Sequence, residues 1–178
     1  RLAGDLLDLS RVDAGRLRVE REDVPLDEVA AVLVEEVRPL AEVTSHTIEL
    51  EADADVWALA DEERVLQVAR ALVSNALVHT PAGSHVTVAV RRAGDRALLE
   101  VRDDGPGIAP EHLDRIFDRF YRVDGTQASG SGLGLAIARE LAQRMEGSVG
   151  VETRPGQTVF TLQLPAEEAP VAAPQPAA

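Results

Sequence analysis

Apolar residues recur at helical spacing in three stretches of the chain. In 25–40 they fall three and four positions apart after a proline, a residue that suits the first turn of a helix. A second helix is predicted from an N-cap at Asp61 to His79, where a Thr-Pro pair ends it. A third is predicted to start after Gly132 and to stop at Gly147. The pattern therefore predicts three amphipathic helices.

Alternation of apolar and polar residues predicts the strands. It runs through 86–90 and returns through 97–103 after a Gly-Asp turn, which indicates an antiparallel hairpin. Further strands are predicted around 17–19, 47–51, 56–59, 149–151 and 160–164. Helices and strands do not alternate strictly, as they would in a doubly wound parallel sheet. We therefore expect a two-layer α/β sandwich, with a mixed, mostly antiparallel sheet and helices on one face.

The two ends of the chain differ from its middle. Residues 1–15 carry leucines at helical spacing and are expected to be the end of a longer helix. Segment 16–165 is predicted to form one domain. Segment 166–178 consists mainly of Ala, Pro and Glu and is expected to be disordered.

Composition excludes several classes of function. The chain has 178 residues, 45% of them hydrophobic, which is enough for a core but includes no run of about 18 apolar residues that could span a membrane. It has no cysteine, so disulfides and thiolate metal sites are excluded. A net charge of −13 argues against nucleic acid as a partner. All 18 basic residues are arginine, so a phosphate site cannot use a P-loop lysine.

A carboxylate ends an apolar row in the second hairpin strand. Alternation places Ala97, Leu99, Val101 and Asp103 on one face, directly before the glycine-rich segment 104–108. A carboxylate at the end of a buried row needs a hydrogen-bond donor, because its desolvation is otherwise costly. An Asp that only caps the loop fits the same pattern.

Four further features could belong to a binding site. Asn75 lies beside the apolar face of the second helix, on a stripe that is neither purely core nor clearly exposed. A residue that only contacts solvent would fit this position as well. Segment 113–122 predicts a short helix with aromatic residues on one face and arginines on the other, able to hold phosphate or simply amphipathic. The polar stretch 123–131 is expected to be a mobile loop, and glycines in 130–135 open the next helix, where free N–H groups attract anions.

In this order, the patterns resemble the N, G1, F and G2 boxes of the histidine-kinase branch of the gyrase, Hsp-type chaperone, histidine kinase and MutL superfamily. The N box corresponds to 72–81, the G1 box to 103–108, the F box to 116–122 and the G2 box to 130–135. The closing segment 156–160 also matches that family. The resemblance implies a Bergerat-type fold for 16–165 of the kind found in the catalytic domains of sensor histidine kinases.

The resemblance also implies a role for each matched residue. Asp103 would receive the adenine amino group, with Thr158 in the same water network. Asn75 would be the Mg²⁺ ligand and Arg122 would lie near the terminal phosphates, so these two are the expected catalytic residues. Segment 123–131 would be the ATP lid. The other expected nucleotide contacts are His79, Gly105, Gly107, Ile108, Phe117, Tyr121, Gly130, Ser131, Gly132, Leu133, Gly134 and Leu135.

Two departures from the family pattern bear on activity. Val78 stands where many members have Lys or Arg, which removes one phosphate contact unless His79 substitutes for it. Ala71 stands where the hydrolysing branches have a Glu that activates water, which favours a kinase. Segment 5–11 resembles the end of the second helix of the dimerisation and phosphoacceptor hairpin. The acceptor histidine lies upstream of that helix in the family.

The expected function is therefore a protein histidine kinase that binds ATP and Mg²⁺ and passes the γ-phosphate to a histidine of its own hairpin. A response regulator would be the next partner. The full-length protein is expected to be a homodimer anchored in the inner membrane, with this part a cytoplasmic monomer. The alternatives are a nucleotide-binding regulatory module without phosphate transfer, and a serine-directed kinase of the anti-sigma type.

Overall fold

Seven strands and four helices make up the part of the chain that the computed structural model describes, which is residues 18–123 and 131–169. In chain order they are β1 (Glu22–Pro25), α1 (Leu26–Val43), β2 (Thr47–Ala52), β3 (Trp57–Ala60), α2 (Glu62–His79), β4 (His85–Ala93), β5 (Arg96–Asp103), α3 (Pro110–Leu113), α4 (Gly134–Arg144), β6 (Ser148–Arg154) and β7 (Gln157–Glu167).

The strands form one mixed sheet in the order β1-β3-β7-β5-β4-β2, and β6 also pairs with β7. Only the β2–β4 pair is parallel among these strands. The long strand β7 lies between β5 and β6 and reaches β3 with its last residues. The predicted two-layer sandwich with a mostly antiparallel sheet is confirmed.

The core lies between the sheet and the helices α1, α2 and α4, which contact its inner face. Helix α2 begins as predicted, because the Asp61 carboxylate accepts a hydrogen bond from the N–H of Arg64 at 3.1 Å. The sheet contributes alternate residues of its central strands, which are almost fully buried: Val86, Val88, Val90, Ala97, Leu99, Val101, Phe160, Leu162 and Leu164. The buried row of β5 therefore runs directly into Asp103.

The outer face of the sheet carries a buried carboxylate between two arginines. Glu100 is 5% exposed, and its oxygens accept hydrogen bonds from Arg102 at 2.7 Å and from Arg91 at 2.5 Å. Burial by itself raises the pKa of Glu100, but the hydrogen bonds from Arg102 and Arg91 more than offset this, and the net pKa is lowered. The group stabilises the sheet in its ionised form.

Two predicted elements differ from the structure in position or extent. The first strand was placed around 17–19, but residues 18–21 are not in a strand and β1 begins at Glu22, where pairing with β3 starts. Three alternating residues are too few to locate a strand whose position depends on a distant partner. At the other end, the strand expected around 160–164 is longer than predicted, since β7 continues to Glu167 by pairing with Trp57.

The aromatic and arginine segment is not the predicted helix. Only the four residues of α3 are helical, and the chain then passes through consecutive turns. Phe120 has a φ of +63° and its side chain is 62% exposed, so it does not share a packed face with Phe117. The Phe120 N–H donates to the carbonyl of Gly132 at 2.9 Å, and this contact bends the segment back toward α4.

Some expectations concern residues outside the described ranges. They are the helix in 1–15, residues 124–130 of the predicted lid with Gly130, and the last part of the tail. Within 18–123 and 131–169, none of the helices combines the length and the apolar character that a membrane span requires.

Candidate nucleotide-binding site

A cleft of about 1100 Å³ lies between α2 and the segments that flank the predicted lid. Its volume is slightly above the roughly 300–1,000 Å³ of typical small-molecule sites, so it can hold a ligand as large as a nucleotide. Ten of the residues expected from the sequence to contact nucleotide line this cleft: Asn75, His79, Gly107, Ile108, Tyr121, Arg122, Ser131, Gly132, Gly134 and Leu135. Four separate stretches of the sequence thus meet around one cavity.

The carboxylate of Asp103 lies at the end of β5 and is 7% exposed. Burial raises its pKa, the hydrogen bond from the N–H of Gly105 opposes this, and the charge of Asp104 adds to it. Thr158 is its register partner on β7 and is also buried. The Thr158 hydroxyl lies 3.2 Å from that of Thr153. These polar groups thus lie side by side on the inner face of the sheet.

Two glycines let the loop after β5 approach its neighbours closely. A Cβ at Gly105 would lie 2.5 Å from the Thr80 methyl group, at the end of α2. Gly107 has a φ of +85°, and a Cβ there would lie 2.7 Å from the carbonyl oxygen of Arg154 in β6. Gly107 was expected to contact the nucleotide, and in the structure its backbone packs against β6.

Helix α2 supplies the opposite wall with Asn75, His79 and Ala71. A Cβ at Gly134 would meet the Ala71 methyl at 3.8 Å, so the start of α4 lies against the middle of α2. Burial, and then the positive charge of Arg122, lowers the pKa of His79. An amide, an imidazole and a helix start therefore all line the same cleft.

The remaining expected contacts lie behind the cleft lining. Leu133 is fully buried in the core. Phe117 packs edge-on against Phe160, with ring centroids 6.4 Å apart, and borders a separate, smaller cavity. Asp103, Gly105 and Thr158 support the wall formed by the loop after β5.

His112 lines the cleft although no sequence pattern indicated it. Its Nδ1 lies 2.8 Å from the hydroxyl of Tyr121, nine residues along the chain. The sequence also gave no signal for Arg70 and Glu36, which come from α2 and α1 and form an ion pair at 2.6 Å. These residues meet only through tertiary packing, so no spacing along the chain could have connected them.

The charge of the cleft opposes that of the chain. Among the described residues that line it, Arg70 and Arg122 are cationic and Glu36 is the single carboxylate, so the lining carries a net charge of +1 (two positive charges less one negative, with histidines counted as neutral). The whole chain, counted in the same way, has a net charge of −13. A cavity with a small positive charge in an acidic protein suits an anionic ligand better than the rest of its surface does.

Comparison with known proteins shows the family to which this chain belongs. The model of the histidine kinase-, DNA gyrase B-, and HSP90-like ATPase family matches residues 60–168. The sensor-like histidine kinase SenX3 of Mycobacterium tuberculosis is 33% identical over 93% of this chain and 41% of SenX3. The sensor histidine kinase TrcS of the same species is 38% identical over 96% of this chain and 35% of TrcS. This chain thus spans less than half of either relative.

The fold comparison agrees. The solved full-length ShkA, in complex with AMPPNP, superimposes with a TM-score of 0.82 at 30% identity, covering 97% of this chain and 36% of ShkA. The chain belongs to the histidine kinase-, DNA gyrase B-, and HSP90-like ATPase family. It contains an ATP-binding domain of that family, as the resemblance of its four boxes predicted.

Proposed function

We propose that this chain is the catalytic part of a sensor histidine kinase that transfers the γ-phosphate of Mg-ATP to a histidine of a dimerisation hairpin. The proposal is carried by Asp103, a nearly buried carboxylate on the face it shares with Thr158, beside a cleft whose described lining has a small net positive charge. The similarity to SenX3, TrcS and ShkA supports the same activity.

The carboxylate of Asp103 suits adenine better than guanine. Adenine presents an amino group, which donates to a carboxylate, whereas guanine presents a carbonyl oxygen at the equivalent edge. A buried carboxylate facing that oxygen would receive no hydrogen bond from the base and would meet a second acceptor, which is unfavourable. The hydroxyl groups of Thr158 and Thr153 lie near enough to each other to share a water with the base.

The phosphates would lie at the opposite end, near Arg122, His79 and the start of α4. Free N–H groups at the beginning of an eleven-residue helix attract anions, and Gly132 and Gly134 keep side chains away from them. Asn75 fits a Mg²⁺ ligand, because an amide oxygen suits a hard cation that keeps waters and phosphate oxygens. Bound Mg²⁺ would neutralise charge that develops on the transferred phosphoryl group.

The cleft is suited to transfer rather than to hydrolysis. Ala71 cannot activate a water molecule. Glu36 is the only carboxylate among the described lining residues, and both of its oxygens are engaged by Arg70. Without a general base near the γ-phosphate, attack by water is slow. The acceptor would be an imidazole brought in by the hairpin, and a response regulator would receive the phosphoryl group next.

Phosphate transfer in trans tests this function. The chain is incubated with Mg-ATP labelled at the γ-position and with the hairpin of its own full-length protein. The hairpin should become labelled, and the label should be acid-labile and base-stable, as a phosphohistidine is. The chain alone should remain unlabelled and monomeric, and Asn75→Ala should abolish transfer. An acid-stable label on the chain alone would contradict the proposal and favour the serine-directed kinase.

A further inference from the structure

Tyr121 is held on two sides in the wall of the cleft. Its hydroxyl lies 2.8 Å from Nδ1 of His112, and the guanidinium carbon of Arg115 lies 4.3 Å from its ring centroid. Tyr121 and His112 both line the cleft. The ring therefore has a defined position although the segment that carries it is not helical.

The backbone of His112, the residue that contacts the Tyr121 hydroxyl, is held by three hydrogen bonds. Its N–H donates to the carbonyl of Ala109 at 2.9 Å, and its carbonyl accepts from Arg115 at 2.9 Å and from Ile116 at 3.0 Å. These bonds fix the backbone turn from which the imidazole projects. His112 can thus hold the Tyr121 side chain in place.

The backbone beside Tyr121 is held in an unfavourable conformation. Phe120 has a φ of +63°, which aromatic residues rarely adopt and which persists only where surrounding contacts impose it. Those contacts include the Phe120 to Gly132 hydrogen bond of 2.9 Å, and a Cβ at Gly132 would lie 3.0 Å from the Tyr121 carbonyl oxygen. Removing one restraint should therefore let Tyr121 move.

We propose that His112 is a positioning residue for nucleotide binding, which acts by holding the Tyr121 hydroxyl and ring against the bound nucleotide. The inference rests on the proposed function, since it assumes that the cleft binds ATP. Its effect should pass through Tyr121 alone. A direct contact between His112 and the nucleotide, or a purely structural role, would give different results in the experiment below.

Calorimetry with AMP-PNP on single and double variants tests the proposal. His112→Leu should weaken binding about three- to tenfold, the range for losing one hydrogen bond. Tyr121→Phe should have a similar effect, and the double variant should bind no more weakly than the weaker single variant. His112→Asn should stay within about twofold of the unsubstituted chain, because its amide can occupy the position of Nδ1.

Several results would overturn this proposal. If His112→Leu weakened binding as much in the Tyr121→Phe background as alone, the two residues would act independently. If His112→Leu bound AMP-PNP as tightly as the unsubstituted chain, His112 would have no positioning role. If the unsubstituted chain bound no nucleotide, the proposed function itself would fail, and this proposal with it.

The single tyrosine of the sequence gives a spectroscopic readout. The NMR signals of the Tyr121 ring in the nucleotide-free chain should shift in His112→Leu and return toward their original positions in His112→Asn. His85→Leu is the matched control, because its imidazole is hydrogen-bonded to Thr47 and Glu49 on the sheet and does not line the cleft. Unchanged Tyr121 signals in His112→Leu would contradict the proposal.

Discussion

Replacing Asp103 by Asn tests base recognition with little effect on stability. The substitution keeps the shape of the side chain and an oxygen that can accept the hydrogen bond from the N–H of Gly105. This bond is 3.0 Å long in the unsubstituted chain. It removes the negative charge. Burial raises the pKa of Asp103 in the folded protein above its value in the unfolded chain. Ionisation of Asp103 therefore reduces the stability of the fold as the pH rises through the folded-state pKa. The neutral amide should therefore leave the melting temperature at neutral pH unchanged or raise it.

Binding should respond differently from stability. A hydrogen bond to a charged group contributes about 1.5–3 kcal/mol, so Asp103→Asn should weaken ATP binding by a factor of about 10 to 150. The loss should be similar for ATP, ADP and adenosine, because all three present the same amino group. Asn75→Ala should differ in this respect: in the presence of Mg²⁺ it should weaken the binding of ATP and ADP but not that of adenosine.

Isothermal titration calorimetry measures these affinities directly. Asp104→Asn is the matched control, since this neighbouring carboxylate is exposed and accepts a hydrogen bond from the N–H of His85 at 2.8 Å. It should bind ATP as the unsubstituted chain does. The reasoning is refuted if Asp103→Asn binds ATP within about twofold of the unsubstituted chain. It is also refuted if the unsubstituted chain binds GTP as tightly as ATP.

The remaining predictions concern the metal, the lid, the histidine of the N box and the sheet. Mg²⁺ should strengthen binding of AMP-PNP to the unsubstituted chain but not to Asn75→Ala, while steady-state ATP hydrolysis by the unsubstituted chain stays near background. ATP should slow amide hydrogen exchange in 123–131, and an exchange rate there that ATP does not change would contradict the lid assignment. Phosphates should raise the lowered pKa of His79, so AMP-PNP affinity should increase from about pH 7.5 to about pH 5.5, and less steeply in His79→Gln. Glu100→Gln should lower the free energy of unfolding at neutral pH by about 1–2 kcal/mol. Since the pKa of Glu100 is lowered in the fold, this difference should disappear on acidification through that pKa in urea titrations.

Local signals in the sequence determined the elements that carry Asp103 and Asn75. An N-cap and a Thr-Pro pair mark the limits of α2, and the structure places them where the sequence predicts. Alternation assigned Asp103 and Thr158 to inner faces of their strands, because a strand turns successive side chains to opposite sides. The four boxes in order then indicated the family, which no single spacing could have done.

Tertiary structure decided how the segment from Leu113 to Val123 runs. Its arginines and aromatics follow a helical spacing, yet the bond from Phe120 to Gly132 bends the chain out of a helix. The contact of His112 with Tyr121 depends on that bend. Periodicity along a chain reports which side of an element is apolar, but it carries no information about which distant residues an element meets. Those contacts form only when the whole domain packs, and they place the groups that line the cleft.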